Sequence, residues 1–203
     1  MIQAEAPRLI LASASAARRS LLQGAGLHFE ALSAAVDEAA IKEAAQAEAI
    51  PPADAALVLA DAKAERIARR HPDALVIGCD QLLVCEGTWY DKPPNPAAAR
   101  AQLQTLRGRT HELVTAVVCH RHGGRAWQHV AIPRLTMRDF TDEFLDAYLA
   151  LEGDRVMGSV GAYRLEGPGV HLFARIRGDH AAILGLPLFE LLGFLRQHGV
   201  VRS

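Results

Sequence analysis

The chain has 203 residues, half of them hydrophobic, and a formal net charge of -1. That length supports one sizeable domain, and the charge gives no electrostatic pull toward nucleic acid or an anionic membrane surface. No apolar run reaches membrane-spanning length, and residues 1–7 lack a basic start followed by an apolar stretch, so no secretory leader is expected. Cys79, Cys85 and Cys119 match no zinc spacing and read as reduced thiols of a cytoplasmic protein. Among 22 basic residues only Lys42, Lys63 and Lys92 are lysines. Arginine bias of this kind follows from base composition, and against it a retained lysine marks a place for a compact point charge. Lys42 sits in an alanine- and charge-rich stretch and is discounted.

In chain order, Leu9–Ala12 reads as a short buried strand and residues 16–26 as a helix. Ser13 and Ser15 lie at the join, with Arg18 and Arg19 in the first turn. A helix N-terminus carries unpaired N–H groups and attracts anions, so arginines there suit a phosphate chain. In the plainer reading Ser15 is an N-cap and the arginines are solvated. Leu27–Ser33 reads as a second strand, and residues 34–53, ending in Pro51-Pro52, as a mobile loop with at most a helical turn. Asp54 is expected to cap a helix running to about Arg70, with Ala55, Val58, Leu59 and Ala62 on one face and Lys63 at its edge.

Leu75–Cys79 and Gln81–Cys85 read as two strands, the first ended by Asp80, with a turn at Glu86-Gly87. Asn95-Pro96 starts a helix with a buried stripe of Ala99, Leu103 and Leu106, ended by Gly108. Leu113–Cys119 and Ala126–Met137 form an expected hairpin at Gly123-Gly124. Thr141 caps a helix with Phe144, Leu145, Tyr148 and Leu149 inward. A glycine-rich stretch, Gly158–Gly169, leads to a strand at Val170–Ile176, and Pro187–His198 is a final helix. Strands and helices mixed along the whole length predict an α/β layered fold around a mixed sheet.

Two acidic spots follow strands, Asp37-Glu38 and Asp80. Ligands of α/β sheets bind beyond the carboxyl ends of strands, which favours Asp80, although a turn-forming aspartate is the competing reading. Taken singly, Glu38 is a solvated loop acid and Lys92, on Tyr90-Asp91-Lys92-Pro93-Pro94, a surface lysine. Tyr163 and Trp89 have faces that stack on a base, with core packing as their ordinary role. Taken together, hydroxyls, an arginine, two lysines and two carboxylates are what phosphoryl chemistry with Mg2+ requires. The first turn reads Ser13-Ala14-Ser15, not G-x-G-x-x-G, which argues against a dinucleotide-binding oxidoreductase.

One ordered set of motifs runs from about Arg8 to Gly199: Ser13-x-Ser15-x-x-Arg18-Arg19-x-Leu21-Leu22, Asp37-Glu38, Leu59-Ala60-x-x-Lys63-Ala64, Gly78-x-Asp80-Gln81, Lys92-Pro93, Gly108-Arg109-Thr110-His111, Gly161-Ala162-Tyr163, Glu166-Gly167-x-Gly169 and Gly185-Leu186-Pro187-Leu188. The succession resembles the Maf family of nucleoside triphosphate pyrophosphatases. The resemblance implies a single Maf-like domain over 1–203, an elongated α/β fold with two lobes flanking a cleft, similar to inosine triphosphate pyrophosphatases. It implies hydrolysis of a nucleoside triphosphate to monophosphate and pyrophosphate with a divalent metal cation, Mg2+ or Mn2+. It also implies a cytoplasmic enzyme with no nucleic-acid or membrane partner, and it admits a homodimer.

By position, the resemblance makes Ser13, Arg18, Lys63 and Lys92 phosphate ligands. Glu38 and Asp80 become metal ligands, Asp80 the catalytic residue that orients or deprotonates water, and Glu166 a cleft-lining acid. Ala17, Gln81 and Glu166 stand at specificity positions. One subgroup, preferring dTTP and UTP, carries Arg, Thr and Gln there; another, preferring 7-methyl-GTP, carries Trp, Gln and Glu. This chain matches the second at Gln81 and Glu166 and neither at Ala17. The expected substrate is therefore a nucleoside triphosphate, non-standard and methylated bases included. The alternative is a non-catalytic nucleotide-binding regulator of cell division, which keeps the phosphate ligands and needs neither acid.

Overall fold

The computed structural model describes residues 2–202; Met1 and Ser203, the ends of the expected leader-free N-terminus and of the 1–203 domain span, lie outside the described residues. Eight strands form one mixed sheet in the order β2-β1-β3-β5-β7-β8, with β4 paired to β3 and β6 to β5. The chain divides into two compact units. One comprises residues up to Asp80, Thr115–Ala131 and the chain from His180; the other comprises Gln81–Val114 and Ile132–Asp179. No described helix is long and apolar enough to cross a membrane.

The first unit begins with β1 (Leu9–Leu11), α1 (Ala16–Gly24) and β2 (Glu30–Ala31). β2 is far shorter than the expected Leu27–Ser33: only Glu30 and Ala31 pair with β1, at the sheet edge. Residues 38–47 are not a loop. They form α2 (Glu38–Ala47), capped by Asp37, whose side chain accepts a hydrogen bond from the Ala40 N–H. Alanine-rich composition, an aspartate cap and an acid in the first turn outweigh the turn signal of the prolines that follow.

α3 (Pro52–Ala68) starts at its proline, which places Asp54 in the first turn and not at the cap. Its buried face is Ala55, Ala56, Leu59, Ala60, Lys63, Ala64, Ile67 and Ala68. Val58 is 49% exposed, so the stripe is rotated from the expected one, and Lys63 lies within it. β3 (Leu75–Cys85) is one continuous strand, so the expected break at Asp80 is absent.

In the second unit, β4 (Thr88–Tyr90) follows a two-residue turn in which Glu86 and Gly87 both take positive φ. That turn matches the right-handed twist of paired strands. α4 (Pro96–Leu106) follows the expected Asn95 cap and buries Ala99, Leu103 and Leu106. β5 (Thr110–Arg121) starts in the second unit and passes into the first, where it meets β6 (Gly124–Ala131) at His122-Gly123, one residue before the expected turn. Pro133 lacks an N–H and interrupts the long second strand. β7 (Arg134–Met137) therefore becomes a separate element, pairing with the start of β5 at Thr110–Glu112.

α5 (Asp142–Glu152) buries Leu145, Tyr148 and Glu152. The glycine-rich stretch holds short 3-10 turns, and one of them, Pro168–Leu172, takes the start of the expected strand, leaving β8 as Phe173–Arg177. α6 (His180–Ile183), not foreseen, and α7 (Leu188–Gln197) close the chain in the first unit.

Alternation along β1 and β3 builds two cores in the first unit. Leu9, Leu11, Leu75, Ile77 and Cys79 pack with Leu22 of α1 and Leu191, Phe194 and Leu195 of α7. Ile10, Val76 and Ala74 pack with Ala64, Ile67 and Ala68 of α3. Strands covered on both faces read as continuous apolar runs, which is why they were recognisable in the sequence.

Candidate functional site

β1 stops at Leu11, which pairs with Ile77, whereas β3 runs on for eight residues to Cys85. Beyond Ile77 the neighbouring chain turns into the Ser13–Ser15 bend and α1. Ser15 caps α1, its hydroxyl accepting from the Arg18 N–H. That fixes Arg18 in the first turn, and its guanidinium returns toward β3. Arg18 Nη1 donates to the Cys79 carbonyl at 3.1 Å and to Ser13 Oγ at 3.2 Å, while Nε donates to the Gly185 carbonyl at 2.7 Å. Arg18 thus takes up a carbonyl that β1 leaves behind. Gly185 lies at φ +100°, and a Cβ there would stand 3.1 Å from Arg18 Nε. Neither the backbone nor the space suits another residue.

Asp80 follows Cys79 and projects from the other face of β3, toward α3. The approach of α3 is set by Gly78, where a Cβ would lie 2.1 Å from the Ala60 carbonyl oxygen. Small residues on both sides bring helix and strand into contact, and Lys63, one turn after Ala60, arrives beside Asp80. Lys63 Nζ donates to Asp80 Oδ1 at 2.6 Å and pairs with Glu38 Oε1 at 2.7 Å. Asp80 is 4% exposed and Lys63 8%. Glu38 reaches them from the first turn of α2 with about half its side chain in solvent.

Asp80 is therefore neither a strand end nor a turn residue, and Glu38 is not a solvated loop acid. Asp80 Oδ2 is buried and, among the described residues, has no hydrogen-bond partner. Buried polar atoms in folded proteins are almost always paired, so this oxygen has room for a water or a ligand. Among the described residues no three His, Cys, Asp or Glu side chains group as a metal cage. Mg2+-type ions need only one or two carboxylates when phosphates supply the rest, and the Asp80–Glu38 pair with its spare buried oxygen fits that requirement.

In the first unit Ser13 and Arg18 thus form one group and Lys63, Glu38 and Asp80 another, next to one another along β3 through Cys79 and Asp80, with half-buried Ala17 beside Arg18 on α1. Cys79, between the two polar clusters, is no nucleophile: burial pushes its thiol up to about 11, against the downward pull of Arg18 and Lys63. Lys92 belongs to the second unit, exposed between β4 and α4, and Gln81 follows Asp80 on β3.

Glu166, also in the second unit, is exposed on a segment pinned by its neighbour Arg164. Arg164 Nε and Nη2 donate to the two oxygens of buried Glu152, at 2.9 and 3.2 Å. Tyr163 is buried, hydrogen-bonded to His111 Nε2 at 2.8 Å and edge-on to Phe173, so packing accounts for it. Burial holds His111 down at about 4. Sequence reasoning assigned no role to Gly78 or Gly185. For Gly78 the signal was a lone glycine after Val76-Ile77 and the alanines of the facing helix.

These elements place the chain in a known class. A family model described as Maf-like protein matches residues 8–198, and the chain belongs to that family. It is similar to a nucleoside triphosphate pyrophosphatase of Granulibacter bethesdensis, 59% identical over 191 residues that cover 94% of this chain and 97% of the relative. A protein of the same name from Paramagnetospirillum magneticum is 51% identical over 94% of this chain and 98% of its own length. A 7-methyl-GTP pyrophosphatase of Rhizobium meliloti is 48% identical over 96% of this chain and 98% of its own length.

Proposed function

We propose that this chain is an enzyme that hydrolyses a nucleoside triphosphate to the monophosphate and pyrophosphate. The observation that carries the reading is the buried, unpartnered Oδ2 of Asp80 beside Lys63. Water attacks the α-phosphorus and gives its proton to Asp80. The bond from the α-phosphorus to the α,β-bridging oxygen breaks, and pyrophosphate leaves with that oxygen. Lys63 and the N-terminal turn of α1, with Ser13 and Arg18, offset charge on the phosphate oxygens. Asp80 and Glu38 would hold a divalent cation, Mg2+ or Mn2+, which supplies charge neutralisation and makes bound water more acidic. Lys63, held to both carboxylates, fixes Asp80 Oδ1 and Glu38 Oε1 in place and leaves Asp80 Oδ2 to meet the water.

The relatives' names cover both general triphosphates and 7-methyl-GTP, and Gln81 and Glu166 favour the second subgroup while Ala17 does not. The substrate is accordingly a triphosphate whose base a panel must identify. Purified protein with Mg2+ is incubated with UTP, dTTP, CTP, 7-methyl-GTP and modified pyrimidine triphosphates, and products are resolved by ion exchange. Monophosphate and pyrophosphate in equal amounts are expected. Diphosphate and orthophosphate would overturn the reading, and nucleotide binding without turnover would favour the regulator.

A further inference from the structure

The Lys63 ammonium already occupies the carboxylates that a metal ion would use. It lies 2.6 Å from Asp80 Oδ1 and 2.7 Å from Glu38 Oε1, and both Lys63 and Asp80 are buried. Two carboxylates thus share one ammonium at contact distance. A dication approaching alone finds one oxygen of each carboxylate already taken by the ammonium and meets that positive charge at close quarters. In a poorly solvated site that repulsion is strong. A dication carried on a triphosphate is different. It brings its own anionic oxygens, and these give Lys63 and Arg18 new partners while Asp80 Oδ2 completes the coordination.

We infer that the resting site excludes free divalent metal and admits it only as the metal–nucleotide complex, with Lys63 as the residue that enforces this. Lys63 is then both a phosphate-side charge and a guard on the two carboxylates. The inference rests on the proposed triphosphate chemistry and adds an order of assembly to it.

Titration calorimetry, independent of turnover, tests it. Three ligands are added to the wild-type protein: Mn2+ alone, the α,β-methylene analogue of the triphosphate that the panel shows to be cleaved fastest, and the equimolar complex. The complex is expected to bind about 10-fold or more tightly than either component, a coupling of ordinary size for linked sites. Mn2+ that binds the free protein as tightly as it binds with nucleotide present overturns the inference.

Lys63→Met sharpens the test, with circular dichroism establishing that it is folded. It is expected to take up Mn2+ alone about 10-fold or more tightly than the wild type, because the competing charge is gone. Unchanged or weaker Mn2+ binding by the folded variant overturns the guard role. Should Lys63→Met not fold, the wild-type titrations decide alone. Tight binding of free Mn2+ together with normal pyrophosphate release removes this inference and leaves the proposed function standing. Failure of every triphosphate to be cleaved removes that function instead.

Discussion

Two buried ion pairs, one in each unit, use the same chemistry and differ in one oxygen atom. In the second unit both oxygens of Glu152, whose side chain is fully buried, accept from Arg164, and the pair is closed. In the first unit Asp80 is almost as buried, but only Oδ1 is paired, and Oδ2 is left without a partner. A closed pair holds backbone: Arg164 anchors a turn in which a Cβ on Gly169 would meet the Arg164 carbonyl oxygen at 2.4 Å. An open pair costs stability and keeps an acceptor for a ligand. The contrast is what the proposed role of Asp80 rests on.

The comparison makes specific demands. The largest effect is expected for Lys63→Met, which leaves the buried Asp80 without its countercharge. Urea unfolding should show a loss of about 3–5 kcal/mol, the range for breaking a buried pair. Glu152→Gln should cost about 1.5–3 kcal/mol, the value of hydrogen bonds to a charged partner. Its turnover per folded molecule should change far less than that of an Asp80 variant, because the pair does not touch the reacting atoms. Gly185→Ala forces a side chain into left-handed backbone against Arg18. A loss of about 1–2 kcal/mol in thermal unfolding is expected, with a weaker grip on the triphosphate.

The pH dependence is the most gradual effect. His111 is held at about 4 by burial, below its ordinary 6.5, so between those values the unfolded chain binds the extra proton. Stability therefore rises with pH across that window, by at most about 1.4 kcal/mol per unit, and is lost as pH falls from 6.5 toward 4. A His111→Gln variant, followed by denaturant midpoints from pH 4 to 7, should flatten that slope.

Much of this was legible in the sequence because it is local. The Ser15, Asn95 and Thr141 caps, the Glu86-Gly87 turn and the doubly covered strands β1 and β3 follow from neighbouring residues alone. The ordered motifs singled out Ser13, Arg18, Lys63 and Asp80; all four lie in the first unit, Ser13 hydrogen-bonded to Arg18 and Lys63 paired with Asp80. What was hidden depends on distant partners. The helical state of residues 38–47 was masked by the prolines after it. The continuity of β3 through Asp80 depends on Lys63 from another element, since an aspartate in a strand is otherwise poor. The break at Pro133 depends on which strand lies beside it. The phase of α3 turned on Lys63 being buried, the opposite of its usual place at an apolar edge.

The central claim is that Asp80 is kept open for chemistry while Glu152 is kept closed for structure. Asp80→Asn keeps the shape and removes the charge, and its pyrophosphate release and urea midpoint are measured beside those of Glu152→Gln. Turnover of Asp80→Asn should drop roughly 10²–10³-fold, the usual cost of removing one preorganised group, while turnover of Glu152→Gln per folded molecule changes far less. Near-wild-type turnover with a collapsed midpoint would contradict the account.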